Sequence, residues 1–204
     1  MITCGIDASS SCTGICIFDD LKLIYYEKLK PNKKTYGFRE KSCEMIELII
    51  PIIQEYKPEH IYMEDVPTFV RTGGRGGNIL SPMIALGALQ GMTYLELVHK
   101  LNYDVEFLDL SAWRKGLGFL NGSATDRNRD HQKDKAVRFV NEKFGLNLYY
   151  TLGKKSVKDD DDIAESIAIC WSKLNGYYDK AIKEREEKER LATIKKNKKK
   201  MCPK

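Results

Sequence analysis

Three apolar runs crowd into the first 28 residues, and they restrict the possible folds more than anything else in the chain. Residues 2–7 (ITCGID) have the pattern of a short buried strand that ends on a carboxylate. The run TGICIFDD reads as a second strand and KLIYYEK (22–28) as a third. SSSCTG and the Asp19–Asp20 pair supply the turns. Links this short cannot carry a crossover, so the three strands are expected to form an antiparallel meander.

The chain then changes period. Residues 38–56 carry isoleucines at 46, 49, 50 and 53, the spacing of one helix face. Pro51 should kink that helix or end it early. HIYME (60–64) follows the breaker Pro58 as a strand, again ending on a carboxylate. Strand, helix, strand is a crossover unit, so this strand should lie parallel to an earlier one. The Gly-rich stretch 67–82 reads as a cationic loop, and 79–100 as an apolar helix belonging to the core or to a subunit interface.

Residues 104–109 are a further strand, with Ser111 expected to cap a short helix. A polar loop is expected over 120–132, a helix over 133–144 closed by Gly145, and a last core helix over 161–175. The fold class is therefore α/β, a mixed sheet flanked by helices. One domain spans 1–176, and 177–204 is a charged tail, exposed or partly disordered.

Charge separates the two parts. The sequence has 34 Lys and Arg against 29 Asp and Glu, a net of +5. Six of those lysines (195, 196, 198, 199, 200 and 204) lie in residues 191–204, which hold no acid. The body is thus close to neutral, and a polyanion partner is suggested by the tail alone. The six cysteines form no CxxC pair, which argues against a zinc site or a disulfide framework. Cys4, Cys16 and Cys170 sit in apolar patterns and are expected as buried thiols. No signal peptide or membrane span is apparent, so an intracellular, cytoplasmic protein is expected.

Acidic residues stand where a sheet would gather them. Asp7 closes the first strand and Glu64 the crossover strand, followed by Asp65. Asp159, Asp160, Asp161 and Asp162 run into the last core helix, with Glu165 one turn on. Asp162 and Glu165, three apart, share a helix face, as do Asp161 and Glu165, four apart. Carboxylates converging on one point repel unless divalent cations lie between them, and all-oxygen ligands suit Mg²⁺ or Mn²⁺. Two such ions can activate a water and stabilise the leaving oxygen of a phosphodiester. Singly, each acid is as well explained by a helix dipole or by solvation; the joint pattern is what points to a site.

The order GIDASSSCTG, YMEDVP, LGALQG, KDKAVRFV, DDDDIAESIAI resembles the RuvC family of Holliday-junction resolvases, chiefly its phage-encoded members, over roughly residues 1–175. The resemblance implies a ribonuclease H-like fold, a homodimer, and metal-dependent cutting of DNA at a four-way junction. It implies Asp7, Glu64, Asp162 and Glu165 as ligands of two ions, with Asp159 and Asp161 as alternates. The family pattern has Asp where this chain has Glu165. Lys135 matches a catalytic lysine, and Lys133 joins it as a DNA contact. The loop after Glu64 matches one that enters the junction, with Phe69 placed to stack on a base and Arg71 and Arg75 to hold phosphates. The helix with LGALQG would line the dimer interface through small residues at 85, 87, 88 and 91.

Other readings remain. GIDASSSCTG also looks like a phosphate loop of actin-like ATPases, but those need two such domains. A less selective ribonuclease H-type or flap nuclease fits the same acids. A non-catalytic junction-binding protein would have no use for buried acids at strand ends.

Overall fold

A computed structural model of the chain describes residues 1–32, 37–66, 80–122, 128–153, 156 and 158–201. The meander forms as the turns dictate. Strands β1 (Ile2–Asp7), β2 (Thr13–Asp19) and β3 (Lys22–Leu29) pair antiparallel in sequence order. Helix α1 (Gly37–Tyr56) then crosses over, and β4 (His60–Glu64) returns parallel to β1. Helix α2 (Leu80–Tyr94) continues into a π-helical turn, Leu95–Lys100, before β5 (Asp104–Leu108) adds parallel to β4. The sheet order is β3-β2-β1-β4-β5, which makes β1 the central strand.

Alternation along the strands sorts side chains between the two faces. Cys4, Ile6, Ile15, Ile17, Ile61 and Met63 pack with Met45, Ile49 and Ile53 of α1 and Leu89 of α2. The opposite face presents Cys16, Phe18 and Tyr62 to α5 (Asp161–Leu174). Helix α5 is buried at every position from Ile163 to Ser172, as expected for a helix sandwiched between a sheet and further helices. Helices α3 (Leu110–Gly116) and α4 (Arg129–Phe144) complete that layer through Trp113, Ala136, Val137 and Val140.

Two glycines let α5 lie this close. A Cβ on Gly5 would stand 2.4 Å from the Ser166 carbonyl oxygen, and one on Gly14 would stand 1.8 Å from the Asp162 carbonyl oxygen. Gly inside a strand weakens it, but here it admits a helix backbone that no side chain would allow.

The sequence expectations differ from the structure at four places. Pro51 does not end α1 early, since the helix runs on to Tyr56. The cap of α3 is Asp109, whose Oδ1 accepts from the Ala112 amide at 2.8 Å; Ser111 donates to that same oxygen. Helix α4 starts at Arg129, four residues early, because Asn128 caps it by accepting from the Asp130 amide. Gly145 closes it in the left-handed conformation, as expected. Residues Tyr177–Met201 form one helix, α6, and its first turns pack onto the body, with Ala181 buried. No helix among the described residues is long and apolar enough to cross a membrane.

Candidate active site

The period of two puts Asp7 on the α5 face, in phase with Thr3 and Gly5, and puts Glu64 there in phase with Tyr62. Ile6 pairs with Met63 across the parallel ladder. One residue further, Asp7 and Glu64 therefore end neighbouring strands side by side. Gln90 of α2 donates to the backbone carbonyl of Glu64, fixing the end of β4. Helix α5 brings Asp162 and Glu165 over this edge, and the charges of Glu165, Glu64 and Asp162 all act on Asp7.

Electrostatics record the crowding. Burial first, then those three carboxylates, push the Asp7 carboxyl well above its ordinary range. Burial pushes Glu64 up to about 7; Arg114 opposes the rise and Glu165 adds to it. Asp162 is raised by burial and by Asp161. Glu64 Oε2 is buried and, among the described residues, finds no hydrogen-bond donor. A carboxylate oxygen left this way costs about 1–3 kcal/mol or more, a penalty that a bound cation would remove.

The acids have different partners. Glu165 is 1% exposed and accepts from Nη2 of Arg114, itself 3% exposed. Nη1 of Arg114 donates to Gln132 Oε1 at 2.7 Å, and Nη2 stands 3.9 Å from Glu64. The charges of Glu165, Glu64 and Asp7 outweigh the desolvation of Arg114 and hold its proton more firmly. Asp161 pairs with Lys133, and Lys28 lies 4.0 Å from Asp162. Both oxygens of Asp159 accept backbone amides, from Thr151 at 2.9 Å and Ser156 at 2.6 Å, so that side chain organises the loop before α5.

Of the residues expected from sequence, Asp7, Glu64, Asp162 and Glu165 thus share one edge of the sheet. Lys133 faces the same cluster, its proton held by Glu165 and Asp161 against desolvation. Lys135 donates to the Phe119 carbonyl oxygen at 3.2 Å. Phe69, Arg71 and Arg75 lie outside the described residues. Arg114 and its neighbour Gln132 went unread in the sequence. An arginine directly after Trp113 in a short helix was the available signal.

The donor set suits a hard divalent cation: carboxylates only, mutually repelling, with one oxygen orphaned. Among the described residues no three acidic, imidazole or thiol groups yet stand in an arrangement that holds an ion. The Arg114 guanidinium lies among the acids and balances part of their charge.

An antiparallel meander, a parallel crossover and a carboxylate edge covered by a buried helix define the class: a ribonuclease H-like α/β domain. Solved structures make that more particular. RuvC of Thermus thermophilus, in complex with a Holliday-junction substrate, matches with a TM-score of 0.58 at 16% identity, over 88% of this chain and 95% of that one. The yeast mitochondrial Holliday-junction resolvase Ydc2 matches with a TM-score of 0.52 at 17% identity, over 93% and 83%. The fowlpox virus resolvase, in complex with Holliday-junction DNA, matches with a TM-score of 0.50 at 19% identity, over 86% and 98%. The chain therefore has the fold of RuvC-type resolvases. No protein-family model matches the sequence, and no curated protein does.

Proposed function

We propose that this protein is a metal-dependent endonuclease that cuts phosphodiesters at Holliday junctions and other branched DNA. The observation that carries the reading is the edge formed by Asp7, Glu64, Asp162 and Glu165, within a fold shared with proteins solved on junction DNA. Asp7, Glu64 and Asp162 would hold Mg²⁺ or Mn²⁺, two ions with Glu165 included; Glu165 would join with its Oε1 engaged by Arg114. When bound, the metal supplies an activated water and charge stabilisation at the scissile phosphate.

The chain's own groups do the remaining work. Arg114 keeps Glu165 in one place and tempers the repulsion among the acids. Lys133 is one of the cations beside the acid edge and would receive a backbone phosphate, with Lys135 two residues on. Phe69, Arg71 and Arg75 would engage the opened centre of the junction. The outward face of α2 would form a homodimer interface.

A cleavage assay on four-way, three-way, flap and linear DNA with Mg²⁺ or Mn²⁺ tests the proposal. Branched DNA should be cut, and Asp7→Asn should abolish cutting while binding survives. Cutting that persists in Asp7→Asn would remove the assignment of the site. Equal cutting of flaps and junctions would favour a less selective nuclease.

A further inference from the structure

Helix α6 divides into two parts that differ in contacts and in charge. At its base, a Cβ on Gly116 of α3 would stand 2.6 Å from the Tyr177 carbonyl oxygen, so the two helices meet backbone to backbone. The Asp109 amide donates to the Tyr178 hydroxyl, Lys115 pairs with Glu184 at 3.0 Å, and Arg185 pairs with Asp109 at 3.1 Å. Lys173 of α5 joins Asp179 at 2.8 Å. These contacts fasten α6 to α5 and to α3, the helix that carries Arg114 into the acid edge.

Beyond the base the helix leaves the body. Every residue from 183 to 197 is exposed. At 1.5 Å per residue, the 16 residues after Arg185 extend about 24 Å outward. The nearer part, 184–190 (EREEKER), mixes signs and is nearly neutral, with Arg190 paired to Glu187 at 3.5 Å. The outer part, 191–200 (LATIKKNKKK), has five lysines and no acid. One or two cations would satisfy the helix dipole, and a solvated face would mix signs as the nearer part does. Five lysines within six residues concentrate positive charge at this end of the helix.

We propose that the outer end of α6 is a second DNA-contacting surface, gripping the phosphate backbone of a duplex arm away from the acid edge. The inference rests on the branched-DNA reading above and extends it. Its occupant is duplex DNA because the basic end is held, through α3, in fixed relation to the edge where a phosphodiester would be cut. Each lysine on a phosphate displaces a condensed counterion, so the contribution is independent of sequence and falls steeply with salt.

The test replaces Lys195, Lys196, Lys198, Lys199 and Lys200 together by Gln in the full chain, which keeps helix propensity while removing the charge; circular dichroism checks the fold. Binding to linear duplex and to a four-way junction is measured by anisotropy between about 50 and 200 mM salt. Each lysine withdrawn from a phosphate makes the slope of log K against log salt shallower by about 0.9, so a total change of roughly 2–4.5 is expected on both DNAs. A change of less than about one unit overturns the proposal. So does an unchanged slope with loss of binding to phosphatidylserine vesicles, which would make a membrane surface the occupant. Cleavage of junctions by the full chain with no slope change removes the arm and leaves the nuclease. A slope change without cleavage of any branched DNA leaves the arm and removes the nuclease.

Discussion

Arg114 donates to Glu165 at the centre of the acid edge, and both side chains are almost wholly buried. Breaking such a pair from one side leaves the other charge stranded, which costs about 3–5 kcal/mol. Arg114→Ala should therefore lower the denaturation midpoint strongly. Arg114→Lys should lose less, because it keeps the charge but not the fork that reaches both Glu165 and Gln132. Urea unfolding of the three proteins should rank them wild type, Lys, Ala. An Ala variant as stable as wild type would mean that the pair is not formed.

The raised carboxyl groups set a pH dependence in the absence of metal. A folded-state pKa above the unfolded value means stability that is complete below the unfolded range and lost as pH rises through the folded value. For Glu64 that window runs from 4.5 to about 7, and Asp7 acts in the same sense. Thermal scans in chelator should show the melting temperature falling from about pH 5 toward 8, and Glu64→Gln should flatten the decline. Mg²⁺ competes with these protons, so its stabilising effect should be larger at the alkaline end. A metal effect that does not vary with pH would argue against these acids as ligands.

Gly5 is one of two glycines on which the acid edge depends without their belonging to it. Gly5→Ala drives a methyl against the Ser166 carbonyl and pushes α5, with Asp162 and Glu165, off the sheet. Overpacking of this kind costs about 1–3 kcal/mol. The expected outcome is a modest fall in melting temperature with a much larger fall in cleavage. Full activity in Gly5→Ala would show that the site tolerates displacement of α5.

Much of this was legible from local pattern. Short turns dictated the meander, short apolar runs ending on carboxylates marked β1 with Asp7 and β4 with Glu64, and helical spacing marked α1 and α5. What escaped depends on tertiary contact. Pro51 can sit inside α1 because packing of Ile49, Ile52 and Ile53 holds the helix on both sides of it. Asp109 rather than Ser111 caps α3, a choice that local spacing cannot separate when both lie at the boundary. Arg114 reaches Glu165 across 51 positions of sequence, and no window of neighbouring residues reveals such a pair. Sequence favoured Asp162 and kept Asp159 and Asp161 as alternates; the fold gives Asp159 to a loop and Asp161 to Lys133.

Helix α2 supplies the test of assembly. Its inner face buries Leu89, Gln90 and Thr93, with Leu97 one turn on; its outer face shows Ile84, Gly87, Gly91, Tyr94 and Leu95, all exposed and none charged. Spacings of three and four place these on one stripe, with glycines at its middle where a second helix could approach closely. Among the described residues, a Cβ at Gly87 or Gly91 meets nothing within 4 Å, which leaves room there for a larger side chain. Gly91→Leu should leave the monomer at least as stable, since leaving Gly gains about 0.8–1 kcal/mol of helix propensity. Across a close helix pair the same leucine would clash. Sedimentation should therefore show a wild-type dimer and a Gly91→Leu monomer, with the variant melting no lower when compared at high dilution. A wild-type monomer, or a dimer that survives Gly91→Leu, would place any interface away from α2.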